Sequence, residues 1–258
     1  KKHFSLLFLN QYLERHKQEL ESTVNKSLDE SSIIHEDIVH SITTLAEFRK
    51  PARNNHIKRI QNYVKLLAEN LKDLPRFRQF FDDQTIELLF KASSLHDIGK
   101  ICISEQIINK PGKLTDEEFN EIKKHAELGR DSIMNIKQQE GNHLFLKFAK
   151  EIAYTHHEKW DGSGYPQGLK GEKIPISGRL MALADVYDSL ISKRVYKEPI
   201  SHDNAIDIIF AEKGKHFDPD LVDVFMEHED KFRQVALEHA DNEEQRNALS
   251  PKGMWDVD

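Results

Sequence analysis

His156-His157-Glu158-Lys159-Trp160-Asp161-Gly162-Ser163-Gly164-Tyr165-Pro166 places two adjacent imidazoles directly ahead of a loop. Its glycines, tyrosine and proline cannot continue a helix, so the pair closes a helix expected over 143–157. Upstream lies a second cluster, His96-Asp97-Ile98-Gly99-Lys100. Neutral imidazole nitrogens and carboxylate oxygens are the ligands of hydrolytic metal centres, where a dipositive ion makes bound water acidic near neutral pH. A His-His pair by itself often arises by chance on a solvated surface. Two clusters, joined by an ordered set of further His and Asp, make that reading improbable.

Outward from these clusters the chain reads as helix. Ile86, Leu89, Phe90 and Leu95 carry an apolar face into His96-Asp97, and Gly99 is expected where that helix ends. Ile57, Ile60, Val64, Leu67 and Leu71 mark an earlier helix that stops before Pro75. Thr115-Asp116-Glu117-Glu118 has the form of a capping box and opens a helix expected over 116–136. Further helices are expected over 177–192, 201–213 and 219–229, the last with Asp218 as cap and Pro219 at its first position. Leu6, Leu13, Leu20, Val24 and Leu28 recur near seven-residue spacing, which suggests an amphipathic helix or short coiled coil. No segment shows convincing period-2 alternation. The fold class expected is all-α, a helical bundle with an N-terminal amphipathic linker helix. The organisation expected is a helical linker over 1–50, a catalytic domain over 51–230 and a polar tail over 231–258, a frayed helix or an ordered appendage of little chemical interest.

At 258 residues the chain can bury a real core. No run approaches the roughly 20 apolar residues of a membrane span, and Leu6–Leu9 is too short and wrongly flanked for a signal peptide. A single cysteine, Cys102, excludes an intramolecular disulfide framework and fits a reducing cytoplasm, the expected location. A net charge of −7 argues against a nucleic-acid polymer as partner, but not against a small anionic substrate bound by a metal and a few basic residues.

The candidate ligands follow. Asp97 beside His96 lets one carboxylate bridge two ions while the imidazole binds one of them. Adjacent helical side chains diverge by about 100°, so this needs a helix end, which Gly99 permits. Lys100 lies one turn beyond His96 on the same face. His125 sits mid-helix, with Gly129 four residues on leaving room for another element. His56 begins its helix. Asp185 is a carboxylate in an otherwise apolar helix, and a buried carboxylate needs a partner. Alone, His125 reads equally as an exposed helix histidine and Asp185 as a partner of Arg179. The remaining histidines, including His202, His216 and His239, are assigned to surface or structural roles.

These residues resemble the HD-GYP domain, a subgroup of the HD metal-dependent phosphohydrolases. The resemblance covers about residues 50–228. It rests on His56-x-x-Arg59, His96-Asp97-x-Gly99-Lys100, Lys110-Pro111-Gly112, His125-x-x-x-Gly129, His156-His157-Glu158, Asp161-Gly162-x-Gly164-Tyr165-Pro166, Ile174-Pro175, Arg179, Asp185-x-Tyr187-Asp188, Arg194-x-Tyr196-Lys197 and Phe217-Asp218-Pro219. It implies an all-helical phosphodiesterase that opens cyclic di-GMP to pGpG and can continue to GMP. It also implies one metal held by His56, His96, Asp97 and Asp185, and a second held by Asp97, His125, His156 and His157. Asp97 and Lys100 are then the catalytic residues, with Lys100 against the substrate phosphate or leaving oxygen. Arg194 and Lys197 are expected at the second phosphate, with Tyr165 and Asp188 also expected to contact substrate.

Mixed imidazole and carboxylate ligands suit two Fe or Mn ions, with Zn or Ni as alternatives. Many members of the family carry a glutamate four residues before the first histidine as a third-metal ligand; here that position is Ala52, which favours two metals. The resemblance further implies a GGDEF-type cyclase as partner of the Gly162–Pro166 loop. The N-terminal leucine seam is expected to form a homodimer and to connect to a missing sensory or receiver domain. Two other functions stay open: a catalytically weak sensor or partner-binding module, and a phosphodiesterase preferring pGpG or cyclic GMP-AMP. A deoxynucleotide-processing enzyme fits less well, because the glycine-tyrosine-proline loop has no role there.

Overall fold

The computed structural model describes residues 55–136, 143–192 and 199–250. Every described residue lies in one compact unit, Thr43–Asp258. The expected leucine-seam helix, Ala52, Arg194 and Lys197 therefore lie outside the described residues.

Helix α1, His56–Leu71, buries Ile57, Ile60, Val64, Leu67 and Leu71, the face its spacing predicts. Helix α2, Asp83–Ser93, opens on Asp82, whose carboxylate accepts from the Thr85 amide at 2.7 Å. The chain then turns through 94–97 into a 3-10 turn, Ile98–Cys102. The helix thus ends before His96 rather than at Gly99. After the short α3, Glu105–Ile108, helix α4 spans Asp116–Lys123 and starts with the expected reciprocal capping box of Thr115 and Glu118.

Helix α5, His125–Met134, is separate: the single helix expected over 116–136 breaks at Lys124. There the Lys124 amide bonds back three residues to Glu121 O, and the His125 ring takes up Ile122 O at 2.6 Å. A side chain competing for the helical carbonyl interrupts the ladder. Helices α6, His143–Thr155; α7, Ile176–Ile191; α8, His202–Ala211; and α9, Pro219–Glu227, follow close to expectation, with Asp218 capping α9. Two more, α10, Glu229–Glu238, and α11, Glu243–Leu249, complete the described chain. Among the described residues there is no strand, only an isolated bridge between Lys213 and Phe217. No helix among them is long and apolar enough to cross a membrane.

Helix α7 sits at the centre. Leu180, Met181, Leu183, Ala184, Tyr187 and Ile191 are all buried, and a helix apolar on nearly every side belongs in a core. It packs against α1 and α6; α2 packs on both of these, and α5 on α6. Each fully buried Leu or Ile stabilises by ~1.5–3 kcal/mol. An exposed pair such as Lys72–Asp83 contributes ~0–1 kcal/mol. Core packing is therefore what holds the histidine-bearing helices in register.

Through residue 250 the polar C-terminal segment is mostly ordered helix, and it packs into the core. Phe232 and Ala236 on α10 and Leu249 on α11 are buried in the main core. Phe232 stacks on Tyr63 at 5.6 Å and meets Phe225 edge-on at 4.7 Å. Sparse apolar residues among many charges give no periodic signal, yet Phe232 on α10 and Leu249 on α11 are enough to dock them. Nearby, His202 is buried, with its Nδ1 2.8 Å from the Tyr187 hydroxyl and its Nε2 3.3 Å from Glu229. Burial, helped by Arg233 against the opposing Asp203 and Asp230, pushes its pKa from 6.5 down to about 4. The folded value is the lower one, so the neutral ring's contribution is complete above pH 6.5 and fades as pH falls towards about 4. Thermal midpoints measured from pH 7 to pH 4 are expected to fall more steeply for the natural chain than for His202→Gln. Equal slopes would remove His202 from the acid response.

Candidate metal centre

The turn that carries His96 and Asp97 can reach the other histidines because Gly99 has no side chain. A Cβ there would lie 2.0 Å from the His125 carbonyl oxygen and 2.5 Å from the Gly129 amide nitrogen. Gly129, predicted to admit another element, does so: its own Cβ position lies 3.4 Å from the Gly99 nitrogen. The 3-10 turn therefore rests directly on the backbone of α5, and His96, Asp97 and His125 converge.

Seven predicted residues form two adjoining donor groups. Asp97, His125, His156 and His157 make one, and His56, His96 and Asp185 the other; within each, one donor atom per residue lies within 4.8 Å of the rest. Asp97 stands between them. Its Oδ1 is 3.5 Å from His125 Nε2 and 3.8 Å from His156 Nε2, while its Oδ2 is 3.5 Å from His96 Nε2. Lys100 Nζ pairs with Asp97 Oδ2 at the edge of the cluster. Arg179 binds Asp218 at 2.6 Å and Ile174 O at 2.9 Å, so the alternative in which it holds Asp185 is not realised.

The outward nitrogens fix how the rings present themselves. His96, His125 and His156 Nδ1 lie 3.0, 2.6 and 2.9 Å from the carbonyl oxygens of Ser93, Ile122 and Ile152. A carbonyl only accepts, so each Nδ1 carries the proton and donates it, and each neutral ring turns a bare Nε2 towards the centre. Burial keeps the His125, His156 and His157 rings neutral. It pushes His125 down to about 4 despite Asp97, and His156 to about 3 with the help of His125 and His96; His157 is also held well below 6.5. Burial would favour a protonated Asp185, but the pull of His96 and His56 in their protonated forms outweighs it and holds the carboxyl below its ordinary value, a pull that a cation among neutral rings supplies instead. His125 and His156 Nε2 stand 3.4 Å apart. Lone pairs converging beside ionised carboxylates are the donor set a divalent cation takes.

The loop after His157 is fastened beside this cluster. Buried Glu158 accepts from the Gln167 and Leu169 amides at 2.8 and 2.9 Å, and the Tyr165 amide donates to His157 O. The Trp160 and Asp161 amides donate to His216 O and Lys215 O at 3.0 and 2.8 Å. Gly164 makes the fold-back possible, since a Cβ there would sit 2.3 Å from the Lys159 nitrogen. Tyr165 ends stacked on His157, ring centres 4.7 Å apart.

Asp188 departs from expectation. It is fully buried, and its oxygens are occupied: Oδ1 accepts from Arg59 Nε at 2.5 Å, and Oδ2 lies 2.7 Å from His56 Nδ1. It faces the back of His56, not a substrate. Burial would raise its pKa, but Arg59 and His56 hold it well below the carboxylate range. Arg59, also fully buried, donates onward to Ser192 Oγ at 3.0 Å, His239 O at 2.7 Å and Asp241 Oδ2 at 2.9 Å. Asp241 thus completes a line of contacts that ends on an imidazole of the donor cluster. Nothing in the polar sequence around it marks that role.

An all-helical bundle that gathers five imidazoles and a second carboxylate around one shared aspartate defines a class: helical proteins with a paired His/Asp centre for divalent metals. The chain belongs to the HD domain family, whose model it matches over residues 40–221, and the HD-GYP resemblance of its motifs stands. A probable cyclic di-GMP phosphodiesterase of Vibrio cholerae is 47% identical over 225 residues, 87% of this chain and 51% of its own length. A cyclic di-GMP phosphodiesterase of the same organism is 51% identical over 201 residues, 78% of this chain and 41% of its own. A 3'3'-cGAMP-specific phosphodiesterase 2, also from Vibrio cholerae, is 40% identical over 196 residues, 76% of this chain and 35% of its own. The chain spans about half the length, or less, of these curated relatives. The crystal structure of a cyclic GMP-AMP-specific phosphodiesterase of Vibrio cholerae superposes with a TM-score of 0.54 at 18% identity, over 84% of this chain and 54% of that one. That likeness supports the fold.

Proposed function

We propose that this chain is a metal-dependent phosphodiesterase that opens cyclic di-GMP to pGpG, with GMP as a further product. The observation that carries the reading is the position of Asp97, whose two oxygens face two separate groups of bare imidazole nitrogens. Divalent ions held there supply Lewis-acid stabilisation of phosphoryl oxygens and a nucleophilic water at neutral pH. His56, His96, Asp97 and Asp185 hold one, and Asp97, His125, His156 and His157 the other. Lys100, beside Asp97, brings an ammonium to the rim where a phosphate oxygen or the leaving oxygen arrives. Tyr165 walls the rim next to His157, and Arg194 and Lys197 take the second phosphate. Fe or Mn fits the mixed donors best, with Zn and Ni as alternatives. Ala52 offers no third-site ligand, which supports two ions.

The same reading takes residues 1–50 as a linker that pairs with a second copy and passes a signal from an upstream sensory or receiver domain. It takes the Gly162–Pro166 loop as the docking point of a GGDEF-type cyclase. The relative that is 40% identical and cGAMP-specific favours 3'3'-cyclic GMP-AMP as the second candidate substrate. The test is metal stoichiometry on anaerobically purified protein, with product analysis on cyclic di-GMP, pGpG and 3'3'-cyclic GMP-AMP. Two ions, slow opening of cyclic di-GMP and comparable or faster cleavage of pGpG are expected. Metal-loaded protein that binds these dinucleotides and cleaves none of them would make the chain a sensor.

A further inference from the structure

Helix α4 ends at Lys123, two residues before His125, and leaves one large aromatic in the open. Phe119 is 44% exposed, so a large part of the apolar area of its ring is not buried in the core. Its ring stands edge-on to Tyr165 at 6.4 Å and 80°, and Tyr165 lies flat on His157. Lys123, one turn further along the same face, places Nζ 4.5 Å from the centre of the Phe119 ring and 5.6 Å from that of Tyr165. Its ammonium bonds the neutral Asn120 Oδ1 at 3.2 Å, whereas the next lysine, Lys124, is taken by Glu121 at 2.5 Å. The helix is held in this pose by the Thr115 capping box and by Lys110, which binds both oxygens of Glu118 at 2.8 and 2.6 Å. That pair also neutralises the carboxylate one residue before Phe119. An aromatic face beside a lysine, joined to the metal centre through one tyrosine, is a platform for a flat, acceptor-rich ring.

We propose that Phe119 and Lys123 form a nucleobase subsite at the rim of the metal centre. A purine of the dinucleotide stacks on the open face of Phe119, and Lys123 donates to the acceptor edge of that base, the N7 and O6 side of a guanine. The inference rests on the phosphodiesterase reading above, and it gives that reading a reason to prefer dinucleotides over simple phosphodiesters. A base held on α4 while the adjoining phosphate meets the cluster fixes the substrate at two points. Tyr165 acts as the wall between them.

The experiment uses the full chain loaded with Mn(II), and Phe119→Ala, Phe119→Tyr and Lys123→Met variants. Two readouts are taken: KM and kcat on cyclic di-GMP, and the fluorescence of a cyclic dinucleotide in which 2-aminopurine replaces one base. Stacking on an aromatic side chain quenches that fluorophore, with or without turnover. Phe119→Ala is expected to raise KM about tenfold with a smaller effect on kcat, and to lose the quench. Phe119→Tyr is expected to restore both, and Lys123→Met to raise KM by about three- to tenfold. A Phe119→Ala protein with an unchanged quench and a KM within about twofold of the natural chain would overturn the subsite, the threshold being well inside one stacked base. If no variant, nor the natural chain, turns over cyclic di-GMP, the phosphodiesterase reading fails while the quench still decides the subsite.

Discussion

Asp97→Ala is expected to strip metal from both donor groups and to reduce phosphodiester hydrolysis by more than about 100-fold, the loss that even an outer-shell partner can cause. The reason is geometric. Asp97 gives one oxygen to the side of His125 and His156 and the other to the side of His96, so its removal takes a ligand from each group at once. Any single histidine belongs to one group only. His96→Ala is therefore expected to spare more of the second ion than Asp97→Ala does. The fold should survive, because Asp97 lies in a turn and the core beneath it is carried by Leu89, Ile152 and Leu180. Elemental analysis of the purified variant, together with product formation from cyclic di-GMP, checks the claim. Two ions retained with near-natural turnover would end the shared-carboxylate reading.

The second large effect lies behind the site. Arg59→Met leaves the carboxylate of Asp188 buried without its bidentate guanidinium, and breaking a buried pair in this way costs about 3–5 kcal/mol. Burial alone would lower the pKa of Arg59, but Asp188 and Asp241 outweigh it and raise it above its ordinary value; the charge is fixed in place. Asp188 also holds His56 Nδ1, so the change should loosen that imidazole and weaken the His56, His96 and Asp185 group by about 10–100-fold in metal affinity. The other group should change far less. Asp241→Asn keeps the shape and one acceptor, so a smaller loss in the same direction is expected. Urea unfolding of the apoproteins and metal titration by calorimetry measure the two effects separately. An Arg59→Met apoprotein within about 0.5 kcal/mol of the natural chain, the range of an ordinary surface change, would show that the line from Asp241 to His56 carries no energy.

Most of the bundle was legible in the sequence for a physical reason, while the gathering of the seven donors at one place was what the resemblance to the HD-GYP motifs implied. Helical periodicity fixes which residues share a face, and His96-Asp97, His125, His156-His157 and Asp185 each lie on or beside a strongly patterned helix. The reading faltered where contacts are distant or the pattern is thin. Asp188 follows Asp185 by one turn, and local spacing cannot tell a carboxylate that points into a site from one that supports it from behind. Arg59 and Asp241 are 182 positions apart. Their pairing depends on α10 docking through Phe232, a single aromatic in a charged stretch. The helix ends at Ser93 and Lys123 depend on backbone turns and on a ring competing for a carbonyl, neither of which periodicity records.

The two amides held by Glu158 have a thermodynamic meaning for recognition. A surface loop of glycines and polar residues normally surrenders its conformational freedom when a ligand arrives, and that ordering is subtracted from affinity. Here the carboxylate next to the histidine pair closes the loop into a ring of ordered backbone, and Trp160 and Asp161 tie it to the neighbouring turn. The entropy is surrendered once, during folding. What meets an incoming molecule is a rigid template, so its attraction for a matching surface is not diluted by disorder, and a poorly matching one finds nothing that can bend to receive it.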